Sequence, residues 1–242
     1  VRRAHRLHAV VVRGEFLKNF TTVLTQGLKA AGGIPVWVMM ANSLVMASAR
    51  HRENRHFHHA AYAIVYFRFP GRELCFVLIF ITLMMPVEVR IVPTFQVAAN
   101  LNFIEGYLGL VLPLIASATA TFLYRQMFMT IPAELLEAAR IDGAGPWRFF
   151  VDVVLPLSRT NTAALFVVLF IYGWNQYLWP LLVTNQESMY TIVMGIQRMV
   201  NIPDAAGVNL IMAVALLGML PPLLVVLGMQ KLFVRGLVET EK

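Results

Sequence analysis

Residues 137–156 read EAARIDGAGPWRFFVDVVLP, a polar island between two long apolar stretches. It carries Glu137, Arg140, Asp142, Arg148 and Asp152, with Gly143, Gly145 and Pro146 between them. Charge is costly at membrane depth, so apolar runs on both sides place the island outside a bilayer and make the chain a membrane protein. The island's own pattern is helical. Pro132 starts a helix with Thr130 as its cap, Ala133 to Ile141 are mostly strong helix formers, and Asp142-Gly143 ends them in a turn. A second short helix, PWRFFVDVVL, follows and ends at Pro156. Leu135, Leu136, Ala139, Phe149, Phe150, Val153 and Val154 supply apolar faces. Such a helix–turn–helix either passes a push from a soluble partner to the spans or lies as an amphipathic loop at the interface. The pattern alone leaves both open.

The flanks define the fold class: all-α, a polytopic bundle of transmembrane helices. The chain is 58% hydrophobic and 14% charged, with a mean hydropathy of +0.66, well outside the range of soluble domains. A spanning helix needs roughly 20 apolar residues. Charge-free runs at 205–230 and 160–186 meet that length, and 106–124 and 74–87 add two more. Pro86, Pro113, Pro221 and Pro222 fall in these runs, where neighbouring helices satisfy the freed carbonyls. Loop charges orient the bundle. Arg68 and Arg72 share a side with the island and with Lys231, Arg235 and Lys242, whereas the loops holding Glu88, Arg90 and Glu105, and Glu187, Arg198 and Asp204, are net negative. The island therefore faces the cytoplasm.

Composition also excludes function classes. Residues 1–55 hold nine Lys/Arg and two Glu, and residues 56–242 hold eleven Lys/Arg and eleven Asp/Glu, so the net charge of +7 sits in the first quarter. A nucleic-acid surface spread over the fold is not supported. No run matches GxxxxGK[ST], so no phosphate-binding loop for a nucleotide is visible. The lone Cys75 excludes an intramolecular disulfide and reads as a buried structural thiol. The charge-free spans lack the intramembrane acids of a secondary transporter. A membrane enzyme would need clustered acid, base or metal-binding residues, and only residues 50–59 offer any.

That stretch, RHRENRHFHH, interrupts two apolar flanks, VWVMMANSLVMASA and AAYAIVYFRFP. Three readings stand. His51, His56, His58 and His59 could hold a metal ion, or the stretch could be a polar hairpin between short segments. In the third, a pair of compensating frame errors lies around residues 50 and 60. Shifting the frame by one nucleotide converts the His and Asn codons to Ile, Thr or Met codons, and AIGKIAISIM would join the flanks into one span. Val1 and the opening VRRAHRLHAVVVRGEF suggest a truncated or misread N-terminus, so residues 1–35 are read as an extracytoplasmic or misread segment lacking a first span.

Glu137-Ala138-Ala139, Asp142-Gly143-Ala144 and Leu155-Pro156 resemble the signature loop of ABC importer permeases. ITLMMPVEVRIVPTFQVAANL, ASATATFLYRQMFMTIP and FIYGWNQYLWPLL look similar to the carbohydrate-importer branch of that family, the branch resembling the maltose permease pair. The similarity covers residues 36–242 except 50–59, where the family has an apolar span containing Gly-Lys. It implies six spans, of which five are present here and the first is damaged. It implies that residues 130–157 are a cytoplasmic coupling loop docking into an ATPase subunit, with Glu137 meeting a basic group there and Gly143 allowing the tight turn. It further implies a second permease subunit, two ATPase subunits and an extracytoplasmic solute-binding protein. ATP and magnesium would be used by the partner, and this chain would carry no cofactor and no catalysis. The expected solute is glycerol-3-phosphate or a glycerophosphodiester, with a sugar or polyol as the alternative.

Trp174, Asn175, Gln176, Tyr177 and Trp179 form the densest polar and aromatic cluster within a span. Intramembrane polar groups are candidates for the solute path, and the aromatic rings could equally anchor the span at the interface. Arg90 and Arg198 could attract a phosphate or be ordinary loop charges.

Overall fold

The computed structural model describes residues 15–27, 32–52, 54–115, 117–201 and 207–239. Among them every extended element is helical. In chain order these are α1 (15–25), α2 (Val36–Arg52), α3 (Asn54–Tyr66), α4 (Arg72–Met84), α5 (Val87–Asn100), α6 (Tyr107–Ile115) and α7 (Ala118–Phe128). The island supplies α8 (Ala133–Ile141), α9 (Pro146–Phe149), a π-turn (Phe150–Val154) and α10 (Leu155–Leu157). Then come α11 (Arg159–Trp174), α12 (Leu178–Val183), a 3₁₀ turn (Glu187–Met189), α13 (Ile192–Asn201) and α14 (Val208–Glu239).

Two stretches, Tyr107–Phe128 and Val208–Gln230, are long and apolar enough to cross a membrane. The number rises to four if each of two bent pairs is one span: Arg72–Met84 with Val87–Asn100, bent by 104°, and Pro146–Leu157 with Arg159–Trp174, bent by 71°. Val36–Ala49 is a shorter apolar helix. Pro93, Pro113, Pro221 and Pro222 lie inside helices, as a membrane setting tolerates, whereas Pro86 falls in the break between α4 and α5.

Several sequence expectations change. The run 160–186 is two helices, because α11 stops at Trp174 and Asn175–Tyr177 leave the helix before α12. Absence of charge marks a membrane segment but carries no signal for such a break. Thr130 does not cap α8. Its hydroxyl turns back to the Met127 carbonyl at 2.7 Å, and Pro132 takes the cap position with no side-chain bond. Pro156 does not end the second island helix, which continues to Leu157. Proline lacks an N–H and crowds the carbonyl one turn back. Here the preceding turn is widened, with Leu155 N–H reaching Phe150 O, and a π-turn of this kind makes room for the ring. Cys75 is exposed, not buried. It lies on α4, which buries no residue within this chain.

The chain divides into two compact units. One is drawn from Val1–Ala47, Ala98–Val111 and Ile171–Leu224. In it, Asn42 and Ser43 on α2 serve polar backbone at the start of α13. Asn42 Nδ2 donates to the Ser188 and Tyr190 carbonyls at 2.8 and 3.0 Å, and Ser43 Oγ accepts from Ile192 N at 3.0 Å. Both side chains are fully enclosed, and backbone freed from helices there must be satisfied internally. The other unit, Ser48–Val97, Leu112–Phe170 and Val225–Lys242, holds the island. Its core joins Phe57, Tyr62, Tyr124, Phe128, Phe149 and Phe150 with Leu165 and Leu169.

Candidate functional site

The island is built as two arms joined by one hydrogen-bonded elbow. Helix α8 ends at Asp142, and Gly143 adopts φ 72°. Gly143 N donates to Arg140 O at 3.1 Å and Ala144 N donates to Ala139 O at 2.8 Å. These two bonds with a left-handed residue between them form a Schellman motif, which satisfies the last carbonyls of the helix and reverses the chain. The spacing Ala139…Gly143-Ala144 is thus a geometric requirement of the turn. Gly145 and Pro146 then open α9 in the usual order for a helix start.

One face of this elbow is anchored and the other is free. Phe149, Phe150 and Val154 are buried, and Leu136, Ala139, Val153 and Leu155 pack partly against the same core. Tyr62 on α3 donates its hydroxyl to Pro146 O at 2.7 Å, fastening the start of the second arm. His59 stacks on Trp147 with ring centroids 5.8 Å apart and leans on Phe150 at 5.1 Å. Glu137, Ala138, Asp142 and Gly143 are exposed. Ile141 and Trp147 are exposed too, at 86% and 65%, so the free face is partly apolar. Leu135 points outward, unlike the other residues assigned to the apolar faces. Arg148 Nε meets Asp152 Oδ2 at 3.3 Å one turn on. Among the described residues Glu137 has no ion-pair partner, which leaves its carboxylate available. Leu155 and Pro156 close the π-turn and line a cavity of about 620 Å³.

The aromatic cluster separates into two kinds of residue. Trp174 and Trp179 are buried, and each spends its indole N–H on a backbone carbonyl, Gly218 O and Gly109 O, both at 3.0 Å. A Cβ on Gly109 would come within 2.1 Å of Phe103 O, so glycine is required where Trp179 docks. Asn175 is exposed, and Gln176 and Tyr177 are half-buried in the break between α11 and α12. Gln176 Nε2 donates to Tyr172 O at 3.2 Å. Arg198 lies over the Tyr190 ring at 4.8 Å, and Arg90 is exposed on α5.

A clamp that no local sequence signal marks joins two residues 80 apart in the chain. Both carboxylate oxygens of Glu105 accept the Asn185 N–H, at 3.0 and 3.1 Å. Thr184 Oγ1 and Asn185 Nδ2 add bonds of 3.0 and 3.1 Å. The Asn185 amide is the largest influence holding the Glu105 carboxyl below its ordinary value, and the Thr184 and Asn185 side chains add to it.

Side chains of His51 and His56 lie outside the described residues. His58 and His59 diverge, His58 inward to Thr162 Oγ1 at 3.1 Å and His59 toward Trp147. Among the described residues no three His, Cys, Asp or Glu stand together as a metal site.

Among the described residues, then, a charged, hydrogen-bonded elbow stands between apolar helices. The fold matches a solved chain described as "Crystal structure of a bacterial ABC transporter involved in the import of the acidic polysaccharide alginate", with a TM-score of 0.67 at 15% identity over 90% of this chain and 83% of that one. The chain belongs to the family of binding-protein-dependent transport system inner membrane components, whose profile matches residues 60–239. Among the relatives described as sn-glycerol-3-phosphate transport system permease protein UgpE are those of three bacteria. That of Agrobacterium fabrum is 56% identical over 226 residues, 93% of this chain and 80% of that protein. That of Salmonella typhimurium is 55% identical over 230 residues, 94% and 82% of the two chains. That of Yersinia enterocolitica is 66% identical over 184 residues, 76% and 66%. The protein is therefore an inner-membrane component of an ABC importer, a transport subunit working with an ATPase and a binding protein.

Proposed function

We propose that this chain is the permease subunit of an ATP-driven importer of sn-glycerol-3-phosphate or related glycerophosphodiesters. The observation that carries the solute assignment is 56% identity across 93% of the chain to a relative described by that transport system. The complex comprises this chain, a second permease subunit, two ATPase subunits and an extracytoplasmic solute-binding protein. ATP and magnesium are used by the ATPases, and this chain contributes no catalytic group or cofactor. No nucleic acid takes part.

Residues 130–157 are the coupling loop. The free face of α8, with Glu137, Ala138 and Asp142, enters a cleft on the ATPase, where Glu137 meets a basic group. A short helix seated in a groove is a common recognition mode. Movement of the ATPase then reaches the bundle through Phe149, Phe150 and the Tyr62–Pro146 bond, all of which tie the elbow to its core. Nucleotide-dependent states of the ATPases shift the permease between inward and outward access because each state binds one conformation better. Leu155 and Pro156 fix where the loop rejoins the span. For the solute path, Asn175, Gln176 and Tyr177 are the polar candidates, with Trp174 and Trp179 shaping the walls around them.

The test is uptake by the complex reconstituted in vesicles with its binding protein. ATP-dependent accumulation of labelled glycerol-3-phosphate supports the assignment, and accumulation of a neutral sugar or polyol instead overturns it.

A further inference from the structure

The cavity beside the coupling loop has an amphipathic lining that the transport cycle leaves unexplained. Its volume is about 620 Å³, and its walls come from the π-turn and α10, the first two turns of α11, His58 of α3 and Met229 of α14. Arg159 stands at one end, at the first residue of α11. Thr162 follows, and then the lining is apolar along Leu155, Ala163, Phe166 and Met229. From Arg159 to Phe166 is about 10 Å along the helix axis. No carboxylate belongs to the lining, and among the described residues Arg159 has no acidic partner. The single carboxylate of the second arm, Asp152, is engaged by Arg148.

The geometry points to a site for one anionic glycerophospholipid of the cytoplasmic leaflet. Its phosphate pairs with Arg159 and its upper acyl chain lies along Phe166 and Met229. Charge and depth select this occupant. A cation stands where the polar island gives way to the apolar run of α11, and beyond His58 and Thr162, which are bonded to each other at 3.1 Å, an apolar wall leads from it toward the membrane interior. Anionic headgroups are drawn to basic groups at this level. A small soluble phosphate would use Arg159 and leave the apolar wall empty. A lipid seated here touches the coupling loop at Leu155, α11 and α14 together, so it would brace the elbow against the helices that it moves. The cytoplasmic placement rests on the coupling-loop reading above.

The test is lipid retention by the complete complex, purified from nanodiscs of phosphatidylcholine and phosphatidylglycerol and read by native mass spectrometry. Retained phosphatidylglycerol should exceed phosphatidylcholine by about fivefold, the contribution of one interfacial arginine. The excess should vanish in Arg159→Ala and persist in Arg159→Lys. Ala163→Leu, which narrows the cavity without touching the charge, should lower retention of both lipids. An unchanged excess in Arg159→Ala overturns the proposal, as does displacement of the lipid by millimolar glycerol-3-phosphate. Retention by the isolated chain but not by the complex would assign the groove to the second permease subunit and equally overturn it. Retention is measured without transport, so failure of the solute assignment leaves it readable.

Discussion

The amide of Ala144 donates to the carbonyl of Ala139 at 2.8 Å, closing a six-residue turn around Gly143. That bond holds the two arms of the island at their angle, and it needs a left-handed residue at position 143. Space for a side chain at position 143 is open, since a Cβ on Gly143 would meet nothing within 4 Å. The cost of substitution is therefore backbone strain alone.

Gly143→Val should destabilise the turn by about 1–2 kcal/mol, while Gly143→Asn, which tolerates the left-handed region, should lose much less. Thermal unfolding in detergent measures both. Equal unfolding temperatures for Gly143→Val and the parent would contradict the motif.

The aromatic cluster makes a split prediction. Trp174→Phe removes the donor to Gly218 O and should cost about 0.6–1.7 kcal/mol of stability, with KM for the solute unchanged. Asn175→Ala and Gln176→Ala should raise KM and leave stability nearly unaltered. Uptake kinetics beside unfolding temperatures separate the two groups, and a raised KM in Trp174→Phe alone would reverse their roles.

Glu105 supplies a pH dependence. Its carboxyl sits below the ordinary value near 4.5, chiefly because of the Asn185 amide. A depressed folded-state value means the clamp contributes above the unfolded value and loses that contribution as pH falls through the lower folded one. Unfolding temperature should therefore drop as pH falls below about 4.5, and Glu105→Gln should flatten that drop. An identical acid limb in both proteins would remove the clamp from the account.

Residues 50–59 make a prediction about the gene. The frame-shifted reading AIGKIAISIM puts Ile where His58 now lies against Tyr124, with ring centroids 3.8 Å apart, in a core otherwise almost wholly apolar. The family match begins at residue 60, directly after the stretch. Resequencing should return the apolar version, and an unbroken frame encoding the histidines would sink the idea.

The legible parts of this fold are those with local chemistry. Helix α8 occupies Ala133–Ile141 as its composition predicts, and Gly143 ends it for the reason its position suggests. The unread parts depend on distant partners. Nothing near Pro156 announces a π-turn, because the turn is set by how Phe150 and Val154 enter the core. The break after Trp174 depends on carbonyls at Gly109 and Gly218 that the two indoles must reach. Asn42 and Glu105 look unremarkable in sequence, since their partners lie 65 to 148 and 79 to 81 residues away.

Everything proposed for the island turns on the exposed carboxylate of Glu137 as the link to an ATPase. The direct measurement is Glu137→Lys in the reconstituted complex, following solute uptake, ATP hydrolysis and the amount of subunit in the membrane together. The expected result is normal membrane insertion, loss of uptake, and hydrolysis that no longer responds to the loaded binding protein. Uptake equal to that of the parent complex would contradict it.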